Sequence, residues 1–132
     1  MVKSQIQAEI HAELAAVWAL VTDLSRVGWR SDLSRLEVVQ EGSQFIEYAK
    51  DGTATAFTVT AKHPYKRYEF TMENKNLSGR WTGRFAEAGG HTQVVFTEYI
   101  TVKKAWMQPF VRRYLKKQQA QYIEDMKRAL RA

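Results

Sequence analysis

The stretch from Ala105 to Arg131, 27 residues at the end of the chain, most constrains the fold. With Met107 at the origin of a helical wheel, Val111, Tyr114, Leu115, Gln118, Tyr122, Met126 and Ala129 fall within about 120° of one another. That is the stripe of a helix lying on a core. The opposite face carries Arg113, Lys116, Lys117, Ala120, Glu124, Lys127 and Arg131. At roughly 1.5 Å per residue such a helix runs about 40 Å, the width of a small domain, so it must lie across a sheet. Pro109 fits in the first turn, where its missing N–H would have had no partner.

The rest of the chain supplies that sheet. Val2 to Ile10 alternates, with Ser4, Ile6, Ala8 and Ile10 on one face and Lys3, Gln5, Gln7 and Glu9 on the other, the pattern of a half-buried antiparallel strand. From Ala12 the period lengthens: Leu14, Val17, Trp18, Val21 and Leu24 recur at three and four, predicting a helix that ends near Asp23 to Ser25. Arg26 to Ser34 follows as a short helix or turn containing Gly28-Trp29-Arg30-Ser31-Asp32.

Tight turns then fix which side chains point inward. Read as a two-residue hairpin loop, Asp51-Gly52 pairs Tyr48 with Thr55 and Ile46 with Phe57, placing Ile46, Tyr48, Phe57 and Val59 inside and Glu47 towards solvent. His63-Pro64-Tyr65-Lys66-Arg67 makes a surface connection. A turn at Lys75-Asn76 sets Phe70 opposite Trp81 and Met72 opposite Gly79. Gly89-Gly90 pairs Phe85 with Val94, Gly83 with Phe96 and Trp81 with Glu98. The last two registers agree, so Glu98 is a carboxylate predicted to face an aromatic interior. Gly79 and Gly83 flank Trp81 and mark a bend, or a close approach of ligand or helix.

Nothing divides the 132 residues into repeats or linkers, so one domain, 1–132, is expected. Without cysteine there is no thiolate metal site or disulfide framework; without a long apolar run or secretory core, a soluble cytoplasmic protein is the default. The net charge of +6 resolves into two parts: Lys103 to Arg131 holds nine basic and two acidic residues, and the remainder is slightly acidic. By charge the helix face suits RNA, a ribosome, anionic lipid or an acidic protein. Aromatic residues are not interleaved there, and a solvated face is the simpler reading.

The order of elements, together with Ile10-His11-Ala12-Glu13 leading into Val17-Trp18 and Asp23-Leu24, Trp29 shortly after, and Pro64-Tyr65-Lys66-Arg67-Tyr68 before a strand, resembles the SRPBCC superfamily. These are the helix-grip proteins that include birch-pollen-allergen-like, steroidogenic lipid-transfer and polyketide cyclase or dehydrase-like members. Glu13 departs from the proline many members carry at that helix start, and still suits the helix dipole. The resemblance implies an α+β helix-grip fold: a curved antiparallel sheet of about seven strands around a long C-terminal helix, with one or two short helices after the first strand. It also implies a deep hydrophobic cavity between sheet and helix, with residues 29–32 over its mouth, and no particular reaction.

Three functions stay open. The preferred one is binding of a small hydrophobic or amphipathic molecule, with Trp29, Tyr48, Phe57, Phe70, Trp81, Phe85 and Phe96 supplying area and Glu98, Tyr114, Gln118 and Tyr122 supplying orientation. The second is a cyclase or dehydratase using Glu98 as acid or base, because an enclosed carboxylate titrates high. The third is an interaction module using the basic helix face. Glu98 and Gln118 could equally satisfy one another inside a packed core, and Arg30 with Asp32 could form a surface ion pair. His11, His63 and His91 show no shared metal-ligand spacing, and no phosphate loop, nucleophile motif or dinucleotide fingerprint is present, so neither metal nor cofactor is expected.

Overall fold

The order and register of the strands follow from the turns that join them, as a computed structural model describing residues 1–131 makes explicit. Seven strands form one antiparallel sheet: β1 (Val2–Ile10), β2 (Leu33–Gln40), β3 (Gln44–Ala49), β4 (Ala54–His63), β5 (Arg67–Glu73), β6 (Leu77–Ala88) and β7 (His91–Val102). The spatial order is β1-β7-β6-β5-β4-β3-β2, a meander whose first strand returns beside the last. Helix α1 (Leu14–Thr22) links β1 to β2; a 3-10 turn (Ala105–Met107) leads into α2 (Gln108–Leu130). This is the curved sheet and long C-terminal helix of the helix-grip fold. The segment between α1 and β2 is a chain of turns with no second short helix. No helix among the described residues is long and apolar enough to cross a membrane.

The β5–β6 and β6–β7 hairpins have the registers their turns predict. Phe70 faces Trp81 and Met72 faces Gly79; Trp81 faces Glu98 and Gly83 faces Phe96. Gly89 and Gly90 both have positive φ, 62° and 86°, as a two-residue loop matching the strand twist requires. The indole of Trp81 lies over Gly83, where a Cβ would collide with it, and a Cβ on Gly79 would strike the Tyr99 carbonyl. The space beside these glycines is therefore taken by the chain itself.

The β3–β4 register differs by one residue from the expected one. Phe45 pairs with Phe57 and Glu47 with Thr55. Lys50 joins Asp51 and Gly52 in a three-residue loop: the Gly52 N–H donates to the Ala49 carbonyl at 2.9 Å, the Ala49 N–H donates to the Thr53 carbonyl at 2.9 Å, and Gly52 has φ 90°. A turn closed by a left-handed glycine adds one residue to the loop, and a one-residue shift exchanges the faces of β3. Phe45 and Glu47 thus point inward. Ile46 and Tyr48 point outward, opposite to expectation.

Two groups of buried side chains hold the layers together. Under α1 and the second half of α2 lie Ile10, Val17, Trp18, Phe85, Val94, Phe96, Ile123 and Met126. Under the first half of α2, against β1 and β7, lie Val2, Ile100, Val111 and Leu115. The buried face of α2 is Val111, Leu115, Gln119, Ile123, Asp125 and Met126, rotated from the predicted stripe, so Tyr114 and Gln118 lie towards its edge. Gln119 rather than Gln118 is the buried amide: Ser4 Oγ donates to its Oε1 at 2.8 Å, and its Nε2 donates to the Ser4 carbonyl at 3.0 Å. Lys116 Nζ and Arg112 Nη1 donate to the carbonyls of Gln5 and Lys3, at 2.7 and 3.4 Å. Part of the basic helix face is thereby spent on covering edge strand β1.

Candidate ligand cavity

Because α2 packs on β1 and, less extensively, on β7, the concave side of β2 to β5 has no helix to fill it. A cavity of about 490 Å³ remains there, open on one side. Its floor is a run of aromatic rings across neighbouring strands. Phe45 and Phe57 stack at 4.8 Å and 6°, and Phe57 meets Phe70 edge to face at 5.1 Å. Phe70 stacks on Trp81 at 4.8 Å and 5°, and Trp81 leans on Phe96 at 4.9 Å. Phe45 with Phe57 and Phe70 with Trp81 are direct cross-strand partners, and Phe57 with Phe70 and Trp81 with Phe96 are diagonal ones, so the ladder follows from strand alternation and the turn lengths. Trp106, Met107, Phe110 and Tyr114 border the mouth, and Trp106, Phe110 and Tyr114 are exposed.

The far wall is the segment from Val27 to Asp32. Trp29 meets Tyr122 of α2 edge to face at 5.2 Å, and Tyr122 meets Phe96 the same way at 5.6 Å. Arg30 bonds both oxygens of Asp32 through Nε and Nη2 at 3.0 and 2.9 Å, and both oxygens of Glu47 through Nη1 and Nη2 at 3.2 and 3.3 Å. Its guanidinium also lies 5.0 Å from the Tyr122 ring centre. In place of the surface pair that Arg30 and Asp32 could form stands a largely enclosed triad, with Arg30 13% and Glu47 15% exposed in their side chains. Asp125, on the buried face of α2, anchors the segment by accepting from the Ser31 N–H and Oγ, both at 2.8 Å. Burial would raise the Asp125 carboxyl, but the donors from Ser31, Gln121 and Arg128 outweigh it and hold it below its usual range.

Burial alone would discharge Arg30; Glu47 and Asp32 outweigh that and keep it firmly charged. Glu47 shows the other side of the same pair: its burial exceeds what Arg30 returns, and its carboxyl stays above the usual range. Burial, with Glu47 adding to it, pushes the Tyr68 hydroxyl up to about 12. Glu98 stands apart. Burial lifts its carboxyl to about 7, Arg30 opposes this only in part, and no hydrogen-bond donor among the described residues reaches it. The indole N–H of Trp29 is likewise buried without a partner.

Of the residues singled out in the sequence, Trp29, Phe57, Phe70, Trp81, Phe96, Glu98, Tyr114, Gln118 and Tyr122 line the cavity. Tyr48 does not: the register of β3 turns it outward, where its hydroxyl donates to Glu37 at 3.2 Å and Arg35 covers its ring at 3.7 Å. Phe85 does not either, being packed against Trp18 at 5.1 Å and Phe96 at 5.9 Å in the core under α1. Sequence reasoning missed Phe45 and Glu47, which the same register brings in, and Asp125, a carboxylate within the apolar stretch of α2. Far from the cavity, the fold gathers two of the histidines: His91 Nδ1 lies 2.8 Å from Glu9 Oε1, and the His11 and His91 rings stack at 4.3 Å. That contact joins the end of β1 to the start of β7, and linear spacing does not reveal it.

The fold is shared with solved proteins of low sequence similarity. A START superfamily protein from Mycobacterium smegmatis superposes with a TM-score of 0.88 at 11% identity, over 98% of this chain and 97% of its own. XoxI from Bacillus cereus gives 0.82 at 14%, over 98% and 96%. DynU16, a protein of the dynemicin biosynthetic locus, gives 0.79 at 16%, over 98% of this chain and 47% of its own. At such identities the likeness is one of fold. No curated protein matches the chain in sequence. The family described as polyketide cyclase/dehydrase and lipid transport matches residues 1–131, and with sheet, helix and cavity in agreement, the chain belongs to that family.

Proposed function

We propose that this protein binds a small hydrophobic or amphipathic molecule in the cavity between sheet and α2. The observation that carries the reading is the cavity itself: about 490 Å³, walled by stacked aromatic rings, with an unpartnered carboxyl at Glu98. Ligand pockets commonly span about 300 to 1,000 Å³ and combine apolar walls with a few polar groups that set orientation. The rings of Phe57, Phe70, Trp81 and Phe96 offer area; Glu98, Tyr114, Tyr122 and Gln118 offer polar tips. Family and fold agree with ligand binding and with cyclase-like roles alike. The test is fluorescence of the neutral dye N-phenyl-1-naphthylamine, which brightens in apolar surroundings. The protein should enhance it saturably, and Thr55→Trp, which fills the cavity from β4, should abolish the enhancement; equal enhancement by that variant would remove the cavity from the reading.

Glu98 favours a second reading, an enzyme of the cyclase or dehydratase kind. A carboxyl titrating near neutrality beside a bound molecule can donate and accept a proton in turn. On that reading Glu98→Gln loses turnover of the molecule recovered from the cavity while still binding the neutral dye. Turnover unchanged by the substitution would take Glu98 out of the chemistry.

A further inference from the structure

Resting on the ligand-binding reading above, we propose that the cavity selects a cationic ligand, an amine on an apolar and preferably aromatic body, with Glu98 as the partner of its ammonium group. The chain as a whole is basic, with 20 lysines and arginines against 14 acids. The cavity reverses that balance. Five carboxylates line it, from Asp23, Asp32, Glu47, Asp51 and Glu98, and the only basic side chain among its lining residues is Arg30.

Arg30 has little to offer an anion, because four of its five N–H groups are taken. Its Nε, Nη1 and Nη2 are already donated to Asp32 and Glu47. A ligand carboxylate or phosphate would meet one remaining N–H flanked by two carboxylates, or would have to break the triad and leave a buried acid unpaired. Two of the acids, Asp23 and Asp51, stand at the rim, where Arg26 and Lys75 lie close enough to offset them. Glu98 has no such offset beyond the distant pull of Arg30 and no hydrogen bond of its own.

Two further features favour a cation. Tyr114 at the mouth samples the local field: burial first, then the carboxylates of Asp32, Glu98 and Asp51, push its hydroxyl above the ordinary value. Trp81 of β6 lies directly opposite Glu98 of β7, and Trp81 with its neighbours Phe70 and Phe96 keeps the surroundings of that carboxylate apolar, which strengthens its attraction for an ammonium group. A carboxylate set among aromatic rings discriminates between charges on ligands of one shape. A neutral ligand gains only the apolar area; an anion meets repulsion.

The experiment is calorimetric titration at about pH 8, where the ammonium of the probe and the carboxylates are charged. The three probes share one ring system: 1-naphthylmethylamine, 1-naphthalenemethanol and 1-naphthoate. The expected order is amine, then alcohol, then naphthoate, with the amine binding about tenfold tighter than the alcohol or better, a gap of about 1.4 kcal/mol. In Glu98→Gln, which keeps the shape of the side chain, the amine loses its advantage and falls to the level of the alcohol. Alcohol or naphthoate binding as tightly as the amine, or an amine preference that survives Glu98→Gln, would overturn the cationic ligand while leaving the cavity a binding site. Failure of all three probes to bind would overturn the binding reading and this inference with it.

Discussion

At Glu98 the sign of a pH effect can be worked out. Its carboxyl is raised from 4.5 to about 7 by burial in the folded chain. The folded state therefore holds a proton that the unfolded chain releases. The stability this contributes is fully present below about 4.5 and is lost as pH rises through about 7. At one pKa unit to about 1.4 kcal/mol, the loss is at most about 3 kcal/mol. Glu98→Gln removes the titration, so we expect the variant to gain on the parent between acid and mildly alkaline pH in denaturant titrations without ligand. A difference independent of pH would mean that Glu98 is solvated or partnered. The placement of Glu98 was legible in the sequence because two hairpin registers, reached from Lys75-Asn76 and Gly89-Gly90, converge on it. The placement of Glu47 was not, because it turns on the length of a single loop. An Asp-Gly pair serves both as a two-residue loop and as the end of a three-residue one, and nothing local distinguishes them.

Among the elements, the β3–β4 hairpin has the most influence on the site. Its extra loop residue brings Phe45 and Glu47 inward and turns Tyr48 out. The loop depends on Gly52, whose φ of 90° a side chain tolerates poorly. Gly52→Ala should cost about 1 kcal/mol in denaturant unfolding, while a glycine-to-alanine change at Gly28, where φ is not positive and a Cβ meets nothing, should cost less. Equal costs would argue against the three-residue loop. For α2 the sequence conveyed length and polarity but not rotation. Residues 105–107 form a 3-10 turn, so Met107 lies outside the α-helix and does not mark its buried face. The burial of Gln119 and Asp125 depends on Ser4 and Ser31, partners more than 90 residues away in sequence. A hydropathy wheel has no access to such partners. The segment 26–34 has no periodicity, so only the residue types of Trp29 and Arg30 drew attention to it.

For the molecule as a whole, two opposed charge distributions share one chain. The outer face of α2 is basic, and the cavity beneath is acidic and aromatic. With Arg112 and Lys116 capping carbonyls of β1 and Arg128 bound to Asp125, the basic face serves the fold before any partner. The cavity has no such internal use. An aromatic surface left uncovered and a carboxyl left unpartnered both cost stability, and a bound molecule that covers them returns it. The most direct measurement is native mass spectrometry of the protein purified from its own cell lysate, compared with the same sample denatured and extracted. A discrete small-molecule mass should be retained under native conditions and released on denaturation, and should be absent when Thr55→Trp is purified in the same way. A parent protein that carries only its own mass, and remains so after incubation with the organic extract of that lysate, would contradict it.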